Sequence, residues 1–183
     1  VGDGKYWDDD VSNENGNFDY LMYDDIDHNH PEVHDEIFNW VDWFIEETGV
    51  DGFRYDALKH ISENFIHDLS SHIIDEKGID SFYLFGEFWQ YSKESIEEYL
   101  NTTSYQIDLF DVPLHFHLEE ASKSMGNYDM RNIFDNTIVE DFPEQAVTFV
   151  DNHDSQPGQA LESWIEDWFK EIAYALILFR KDG

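Results

Sequence analysis

The feature that most constrains the fold of this chain is a fourfold alternation of short apolar segments with stretches of helical period. The predicted strands are residues 50–56, 82–88, 106–112 and 146–150. The predicted helical segments that follow them are residues 63–77, a short acidic helix from residue 92, material up to residue 136 and a last helix over 164–180. Strands that alternate with helices favour parallel βαβ units with right-handed crossovers. The pattern therefore predicts an α/β fold, either an open doubly wound sheet or a barrel.

Two helices are predicted in more detail from the spacing of their apolar residues. The first begins with Pro31 and ends at Gly49, residue types that are typical of a first helical turn and of a helix stop. Its packed face is predicted to contain Val33, Ile37, Trp40 and Phe44. The second helix stops at Gly78, and its packed face is predicted to contain Phe65, Leu69 and Ile73. We expect the aromatic residues of the first helix to be core packing and not a cofactor site.

The first predicted strand ends in a cation and a carboxylate two residues apart, Arg54 and Asp56. Side chains alternate along a strand, so this pair is expected to lie on one face. A guanidinium close to a carboxylate favours the ionised form, which is the form that a nucleophile needs. The other interpretation is a plain surface ion pair at the end of a strand.

Two more acids accompany predicted strands. Glu87 is the only acid of residues 82–90, and its neighbours are aromatic: Phe85, Phe88 and Trp89. Desolvation among aromatic rings favours the protonated carboxyl group, so Glu87 is predicted to be a proton donor. Asp154 follows the apolar run 146–150, and it could stabilise positive charge on a sugar ring. One ionised and one protonated acid is the arrangement that glycoside hydrolysis requires.

The charge of the chain excludes several classes of partner. Lys and Arg total 10 against 42 Asp and Glu, and the net charge of −32 argues against binding to nucleic acid or to an anionic membrane surface. No apolar run reaches the ~18 residues of a membrane span. There are no cysteines, which excludes disulfides and thiolate metal sites. We interpret the acidic surplus as an adaptation to salty or cation-rich surroundings, where screening relieves self-repulsion.

The three motifs at the strand ends, residues 51–60, 81–90 and 146–154, resemble the signature regions of glycoside hydrolase family 13, the α-amylase family. Further segments resemble the bacterial liquefying α-amylases in particular, namely residues 20–23, 25–27, 111–115 and 149–159. The family fold is a (β/α)₈ barrel. The resemblance implies that residues 31–183 are a part of this barrel, about strands four to seven with their helices, and that residues 1–30 are the end of an irregular inserted domain that binds metal. A whole barrel takes ~250 residues, and a part of one exposes strand edges, so we expect this piece expressed alone to aggregate or to stay partly folded.

The resemblance implies a retaining hydrolysis of α-1,4-glucosidic bonds in starch or maltooligosaccharides. Asp56 would attack the anomeric carbon, Glu87 would act as acid and then as base, and Asp154 would stabilise the transition state. The residues that match sugar-binding positions are Arg54, Lys59, His60, Trp89 and His153. Without the resemblance, Lys59 could be an exposed helix residue and Trp89 could be simple core. The resemblance also implies a secreted enzyme that is a monomer at full length.

Residues 1–30 are crowded with Asp, Asn and Gly, a composition typical of a solvated loop but also compatible with a site for a hard cation. The resemblance implies calcium there, with sodium alongside. The matching ligands are Asp8, Asp19 and Asp25, Asp27 for a second calcium, and the backbone carbonyl of His60. Asn29 stands where close relatives carry another acid, and an amide brings no charge to that second site.

Two other functions stay open beside the α-amylase interpretation. One is a related enzyme of the same family, either a transglycosidase or an oligosaccharide-specific α-glucosidase. The likeness of residues 19–27 to liquefying amylases argues against it. The other is an acidic module that binds calcium or carbohydrate without catalysis, in which Asp56→Asn or Glu87→Gln would leave activity unchanged. The presence of all three acids argues against this module.

Overall fold

The structure, a computed structural model, describes residues 26–78 and 81–180. Strands and helices alternate along the described chain, as predicted. The strands are Gly52–Tyr55 (β1), Tyr83–Gly86 (β2), Asp108–Phe110 (β3) and Ala146–Val147 (β4). The helices are Pro31–Thr48 (α1), Glu63–Lys77 (α2), Lys93–Thr102 (α3), Val112–Lys123 (α4), Ile138–Asp141 (α5) and Asp167–Phe179 (α6). The described residues fall into two compact units, the first within Val1–Phe88 and Glu98–Ile107 and the second within Trp89–Glu97 and Asp108–Gly183.

The first unit is built on β1 and β2, which pair in parallel. The register runs from Gly52 opposite Tyr83 to Tyr55 opposite Gly86. The two strands are joined through α2, which is the βαβ connection that the alternation predicts. Because paired parallel strands end at the same edge, this register brings the residues that follow β1 close to those that follow β2.

The helices of the first unit begin and end where the sequence predicts. The backbone of Gly49 is left-handed, with φ 65°, and its N–H donates to the carbonyl of Ile45, which closes α1. The hydroxyl of Ser62 accepts the N–H of Phe65 at the start of α2. The predicted face of α2 is buried: Phe65, Leu69 and Ile73. α1 packs against α2.

The packed face of α1 differs from the prediction at one aromatic residue. Its fully buried side chains are Val41 and Ile45, whereas Trp40 is exposed. Phe44 is half-buried. One residue along a helix corresponds to a rotation of about 100°. Trp40 therefore lies beside the buried stripe that contains Val41, and the prediction that it is core packing is wrong.

The second unit contains β3 and β4, which also pair in parallel, with Leu109 opposite Ala146 and Phe110 opposite Val147. α4 and α6 pack together beside these strands. The buried side chains of this core are Leu114, Leu118, Ala121, Ile133, Val139, Val150, Ile165, Phe169 and Ala173. This core supports the chain that leaves β4 and carries the third predicted acid.

Several predicted elements of the second unit are shorter than expected. β3 covers Asp108–Phe110 and not residues 106–112, and α4 ends at Lys123, so the helical material predicted up to residue 136 is wrong beyond it, apart from the short 3₁₀ helix Met130–Asn132. β4 stops at Val147 and not at residue 150. The carbonyl of Val150 faces Nδ1 of His115 at 2.7 Å, so it has a side-chain partner in place of a strand partner. α6 begins at Asp167 and not at residue 164. The N–H of Ile165 donates to the carboxylate of Asp151, which holds the chain before α6 in a non-helical conformation.

Candidate active site

Arg54 lies between the first two predicted catalytic acids. It belongs to β1, and its Nη1 donates to Oδ1 of Asp56 at 2.6 Å. Its Nη2 donates to Oε2 of Glu87 at 2.7 Å. The first contact confirms the predicted pairing of Arg54 with Asp56 on one face. The second contact was not predicted, although the shared edge of two parallel strands is the signal that could have found it.

The two carboxylates share one guanidinium but differ in exposure. The side chain of Asp56 is 71% exposed, whereas that of Glu87 is 8% exposed. The burial of Glu87 agrees with the aromatic surroundings that the sequence predicts for it. The sequence argument did not include the bond from Arg54 to this side chain. The site therefore combines an acid that is accessible to a ligand with one that is shielded from water.

The backbone ties the positions of both acids together. The N–H of Glu87 donates to the carbonyl of Tyr55, and the N–H of Leu58 donates to the carbonyl of Glu87, each at 2.9 Å. Asp56 lies between Tyr55 and Leu58 in the chain, so it cannot shift without disturbing one of these bonds. Ala57 turns the chain with a left-handed backbone, φ 51° and ψ 41°. For a residue with a Cβ this conformation costs roughly 1–2 kcal/mol.

Gly86 allows the turn after β1 to lie close against β2. Leu58 is fully buried, and a Cβ added to Gly86 would lie 2.3 Å from Cδ1 of Leu58. Real side chains do not approach this closely, so the packing of Leu58 requires glycine at this position. The glycine thereby contributes to the placement of Asp56 and Glu87, although it carries no functional group.

Lys59 and His60, two predicted sugar-binding residues, belong to the short 3₁₀ turn Leu58–His60 that follows Asp56. Lys59 is half-buried and His60 is exposed. The N–H of His60 donates to the carbonyl of Ala57 at 2.9 Å. The structure thus places both residues on the turn that closely follows the predicted nucleophile, and their contacts with sugar stay a prediction.

The third predicted acid, Asp154, lies in a turn of the second unit. Oδ1 of Asn152 accepts the N–H groups of Asp154 and Ser155, both at 2.9 Å. The hydroxyl of Ser155 accepts the N–H of Asn152 at 2.9 Å. His153 lies beside Asp154, with 3.1 Å between Nε2 and Oδ2. We call residues 152–155 the acidic turn. Sequence reasoning missed the role of Asn152, although an asparagine that bonds to the backbone two residues on is typical of turns.

His115 supports the chain just before the acidic turn. It is fully buried, and its ring stacks on Phe149 with 4.7 Å between the ring centres. Its Nδ1 lies 2.7 Å from the carbonyl of Val150 and its Nε2 lies 2.8 Å from the hydroxyl of Ser163. A carbonyl can only accept, so Nδ1 carries the proton. Burial lowers the pKa of His115, which keeps the ring neutral.

Asp111 is a buried acid that the catalytic prediction did not use. Its Oδ1 accepts the N–H of Leu114 at 3.0 Å and its Oδ2 accepts the N–H of Val139 at 2.8 Å. Burial raises the pKa of this carboxyl group, whereas the backbone bonds lower it. Because Asp111 joins the start of α4 to α5, we assign it a role in folding.

Trp89, the remaining predicted sugar-binding residue, is buried in the second unit. Its ring lies 5.7 Å from that of His115, 6.0 Å from Phe116 and 5.9 Å from Phe149, measured between ring centres. Trp89 is therefore packed in the core of this unit, which is the alternative role that the sequence left open for it. A contact between Trp89 and a sugar stays a prediction.

The predicted metal ligands Asp8, Asp19 and Asp25 lie outside the described residues. Asp27 is described, and its Oδ1 accepts the N–H of Asn29 at 3.1 Å. Within residues 26–78 and 81–180, no cluster of three or more His, Asp or Glu side chains has the geometry to hold a metal ion. The oxygen donors predicted for residues 1–30 are the kind that calcium prefers, so the composition of that segment fits the ion.

The fold and the site together define a class of protein. Parallel βαβ units that carry one exposed and one buried acid at the strand ends, joined by a cation, are typical of an α/β glycoside hydrolase. The particular family follows from a comparison with family models, in which "Alpha amylase, catalytic domain" matches residues 3–159. The chain belongs to this α-amylase family, and its α/β fold is a part of the family's (β/α)₈ barrel.

Curated relatives resemble the chain along its whole length. The glucan 1,4-α-maltohexaosidase of Bacillus sp. (strain 707) is 54% identical over 182 residues, which cover 100% of this chain and 35% of that protein. The α-amylase of Bacillus licheniformis is 51% identical over 180 residues, which cover 98% of this chain and 35% of the relative. The chain therefore spans about a third of the length of the curated relatives that it matches.

Solved structures show the same likeness in three dimensions. The α-amylase of Geobacillus thermoleovorans, solved in complex with acarbose, superposes with a TM-score of 0.58 at 26% identity, over 70% of this chain and 29% of that one. An Anoxybacillus α-amylase superposes with a TM-score of 0.57 at 28% identity, over 72% of this chain and 29% of that one.

The relatives differ in the compartment that their names give. The cytoplasmic α-amylase of Escherichia coli (strain K12) is 43% identical over 180 residues, which cover 98% of this chain and 36% of that protein. Likeness in sequence therefore does not determine a compartment. Among the described residues, no helix is both long and apolar enough to cross a membrane.

Proposed function

We propose that the protein carrying this chain hydrolyses α-1,4-glucosidic bonds within starch and related α-glucans and retains the anomeric configuration. The observation that supports this proposal most is the sharing of Arg54 between Asp56 and Glu87. The bonded carboxylate oxygens are held by the two terminal nitrogens of one guanidinium. The shared guanidinium thus keeps the two carboxyl groups near each other, and we infer retention, which needs them roughly 5–5.5 Å apart, rather than inversion, which needs room for a water between them.

In the first step, Asp56 attacks the anomeric carbon and forms a covalent glycosyl ester. Its exposed side chain can reach a substrate, and Arg54 forms an ion pair with its carboxylate. The bond from the anomeric carbon to the glycosidic oxygen breaks, and Glu87 gives its proton to that oxygen, so the leaving chain departs with a new hydroxyl group. Arg54 then stabilises the charge that proton transfer leaves on Glu87.

In the second step, Glu87 takes a proton from a water molecule, which attacks the anomeric carbon while the bond to Asp56 breaks. Two displacements restore the original configuration. Asp154 would stabilise the positive charge that develops on the sugar ring in both steps, and His153 would bind a sugar hydroxyl beside it. Lys59, His60 and Trp89 would contribute to sugar binding on the leaving-group side.

The first experiment compares Asp56→Asn with a control that loses a similar ion pair. Asp129 and Arg131 are also two residues apart, with 2.5 Å between Oδ2 and Nη2, but both are exposed, Asp129 at the start of the short 3₁₀ helix Met130–Asn132 and Arg131 within it. We expect Asp56→Asn to lower kcat on soluble starch on the order of 10⁴-fold and Asp129→Asn to leave it unchanged. Unchanged hydrolysis in Asp56→Asn would show that Asp56 is only an ion-pair partner.

The products of the parent protein test the stereochemistry. Proton NMR of the first products, recorded before mutarotation, is expected to show the α-anomer. Initial β-anomer would overturn retention. Longer or cyclic α-glucans as the main products would favour the transglycosidase, and no hydrolysis of any α-glucan would favour the non-catalytic module.

Calcium, with sodium alongside, is a further part of the proposal. It is supported by the oxygen-rich composition of residues 1–30, where Asp8, Asp19, Asp25 and Asp27 match the family's ligands. When bound, the ion would supply folding stability. We expect chelation to lower the Tm and calcium to restore it, whereas magnesium at the same concentration should not. A Tm that is unchanged by chelation would contradict the assignment.

We also propose that the protein is secreted and acts as a monomer on starch. Secretion is what the resemblance to the bacterial liquefying α-amylases implies, and the relative named cytoplasmic, which is 43% identical, is the alternative that the test must separate. Fractionation of the source cells tests the compartment: amylase activity that stays inside intact cells would contradict secretion. Light scattering of the purified protein tests the monomer.

A further inference from the structure

A buried ion pair is formed by Lys170 and Asp151, the residue just before the acidic turn, residues 152–155. Asp151 precedes this turn, and its side chain is 8% exposed. Its Oδ2 accepts a hydrogen bond from Nζ of Lys170, on α6, at 2.7 Å. Its Oδ1 accepts the N–H of Ile165 at 3.1 Å. Both oxygens of this carboxylate are therefore bonded to residues far along the chain.

Lys170 is held in place by more than this ion pair. Its side chain is 21% exposed, and Nζ lies 3.4 Å from the ring centre of Trp164. An ammonium group over an indole face is attracted to the ring, most strongly where water is excluded. The cation is thus fixed between an aromatic ring and a carboxylate, and it has little freedom to leave Asp151.

The other end of the acidic turn is tied to the same segment of chain. The carbonyl of Ser155 accepts the N–H of Ser163 at 2.9 Å. The turn therefore lies between two bonds to residues 163–165, one through the side chain of Asp151 and one through the backbone of Ser155. A change at Asp151 would alter the direction in which the turn leaves β4, and Asp154 would move with it.

We propose that Lys170 is a positioning residue for Asp154. Through Asp151 it sets the orientation of the acidic turn. Its own ion pairs are with Asp151 and Asp167, and not with His153 or Asp154, the residues of the turn that would contact the sugar. Without the cation, the buried carboxylate of Asp151 would lose its charged partner and rotate towards water, and its bond to Ile165 would weaken. The inference rests on the proposed function, because it assumes that Asp154 stabilises the transition state.

The test uses three substitutions in the intact protein. Lys170→Met removes the charge and keeps the methylene groups beside Trp164, and Lys170→Arg keeps the charge. Lys123→Met is the control, since Lys123 forms an exposed ion pair with Glu119 one turn away on α4.

A small displacement of a catalytic group slows the chemical step more than it weakens binding. We expect kcat on maltooligosaccharides to fall about tenfold in Lys170→Met, with KM changed less than about twofold. Lys170→Arg should recover most of the loss, and Lys123→Met should change nothing.

A double-mutant cycle separates positioning from general destabilisation. If Lys170 acts through Asp154, then Lys170→Met should change the residual kcat of Asp154→Asn less than about twofold. A loss of the same factor in both backgrounds would overturn the proposal. If Lys170→Met does not fold, Asp151→Asn removes the ion pair and leaves an oxygen for Ile165, and the same cycle is measured.

The results that would overturn this inference differ from the results that would overturn the proposed function. Normal kcat in Lys170→Met, together with loss of activity in Asp56→Asn, overturns the positioning role alone. Normal activity in Asp56→Asn overturns the assignment of the nucleophile. Normal activity in Asp154→Asn removes Asp154 from the mechanism and overturns the positioning role with it.

Discussion

The two regions that carry the predicted catalytic acids hold them in different ways. Asp56 and Glu87 follow paired parallel strands, and the backbone bonds of the ladder continue past the strands, joining Glu87 to Tyr55 and Leu58, between which Asp56 lies. Asp154 lies in a turn whose shape depends on side chains that bond to nearby backbone groups, above all Asn152. Regular structure positions the first two acids, whereas individual polar side chains position the third.

This difference predicts how each region should respond to mutation. In the first region, the bonds are made by the backbone and persist when side chains change, so only changes in charge or packing should matter. In the second region, each side-chain bond contributes about 1 kcal/mol, and its loss frees one part of the turn. Four substitutions test this contrast, in order of decreasing expected effect.

The largest effect is expected from Glu87→Gln. The amide keeps the shape of the buried side chain but has no proton to give to a leaving group, and general acid catalysis contributes roughly 10²–10⁴-fold. We therefore expect kcat on starch to fall on the order of 10³-fold. A maltooligosaccharide with a nitrophenolate leaving group, which needs no protonation, should lose much less in the first step. An equal loss on both substrates would contradict the assignment of Glu87 as the acid. Glu76→Gln, at an exposed position of α2, is the control.

The next effect is on stability and comes from Gly86→Ala. The new Cβ would lie 2.3 Å from Cδ1 of Leu58, and overpacking of this kind typically costs about 1–3 kcal/mol. Urea unfolding measures the loss. In a Leu58→Ala background, which makes space for the methyl group, Gly86→Ala should cost less. Equal costs in the two backgrounds would show that the contact between Gly86 and Leu58 does not limit the packing.

Asn152→Ala tests the second region. It removes the oxygen that accepts the N–H groups of Asp154 and Ser155, and the loss of such a cap costs about 1 kcal/mol. Because the same bonds orient Asp154, we expect kcat to fall about tenfold. Asn152→Asp keeps an acceptor oxygen and should recover most of the activity. If both variants behave like the parent, the side chain of Asn152 does not maintain the turn.

The sequence predicted the features that depend on local spacing. The contact of Arg54 with Asp56 follows from the two-residue period of a strand, and the burial of Glu87 follows from its aromatic neighbours. The bounds of α1 and α2 were predicted from Pro31, Gly49 and Gly78, whose effects on the backbone are local. The face of α1 was predicted less well, because the exposure of Trp40 depends on which elements pack against the helix.

The features that the sequence did not predict join distant parts of the chain. The contact between Arg54 and Glu87 depends on the register of β1 with β2, which no residue specifies alone. The ion pair of Asp151 with Lys170 joins two residues that are 19 positions apart, and the chain between them is mostly irregular, so no period indicates the pair. β4 ends early at Val147 for the same reason, since the partner of the Val150 carbonyl is His115 from α4. Metal binding by residues 1–30 stays a prediction.

The smallest effect is expected from a change of pH at His115, which supports the second region. Burial lowers the pKa of this histidine, so its folded value lies below the unfolded value of 6.5. The unfolded chain therefore binds the proton first, and folding stability should fall as the pH decreases from neutral through 6.5 towards the folded value. Asp111 acts in the opposite direction. Burial raises its pKa above 3.8, so the folded protein binds this proton first, and proton uptake by Asp111 stabilises the folded state as the pH falls.

A variant that lacks only the histidine isolates its contribution. His115→Asn places an amide donor near the carbonyl of Val150 and does not titrate, while Asp111 and the other acids are the same in both proteins. Between about pH 7.5 and pH 5.5, we expect the Tm of the parent to fall a few degrees more than that of the variant. Equal shifts would show that His115 binds a second proton, at Nε2 beside Ser163, as readily in the folded protein as in the unfolded one. The turn that carries Asp154 would then be held by Asn152 and Asp151. This support would be as insensitive to pH as the backbone bonds that position Asp56 and Glu87.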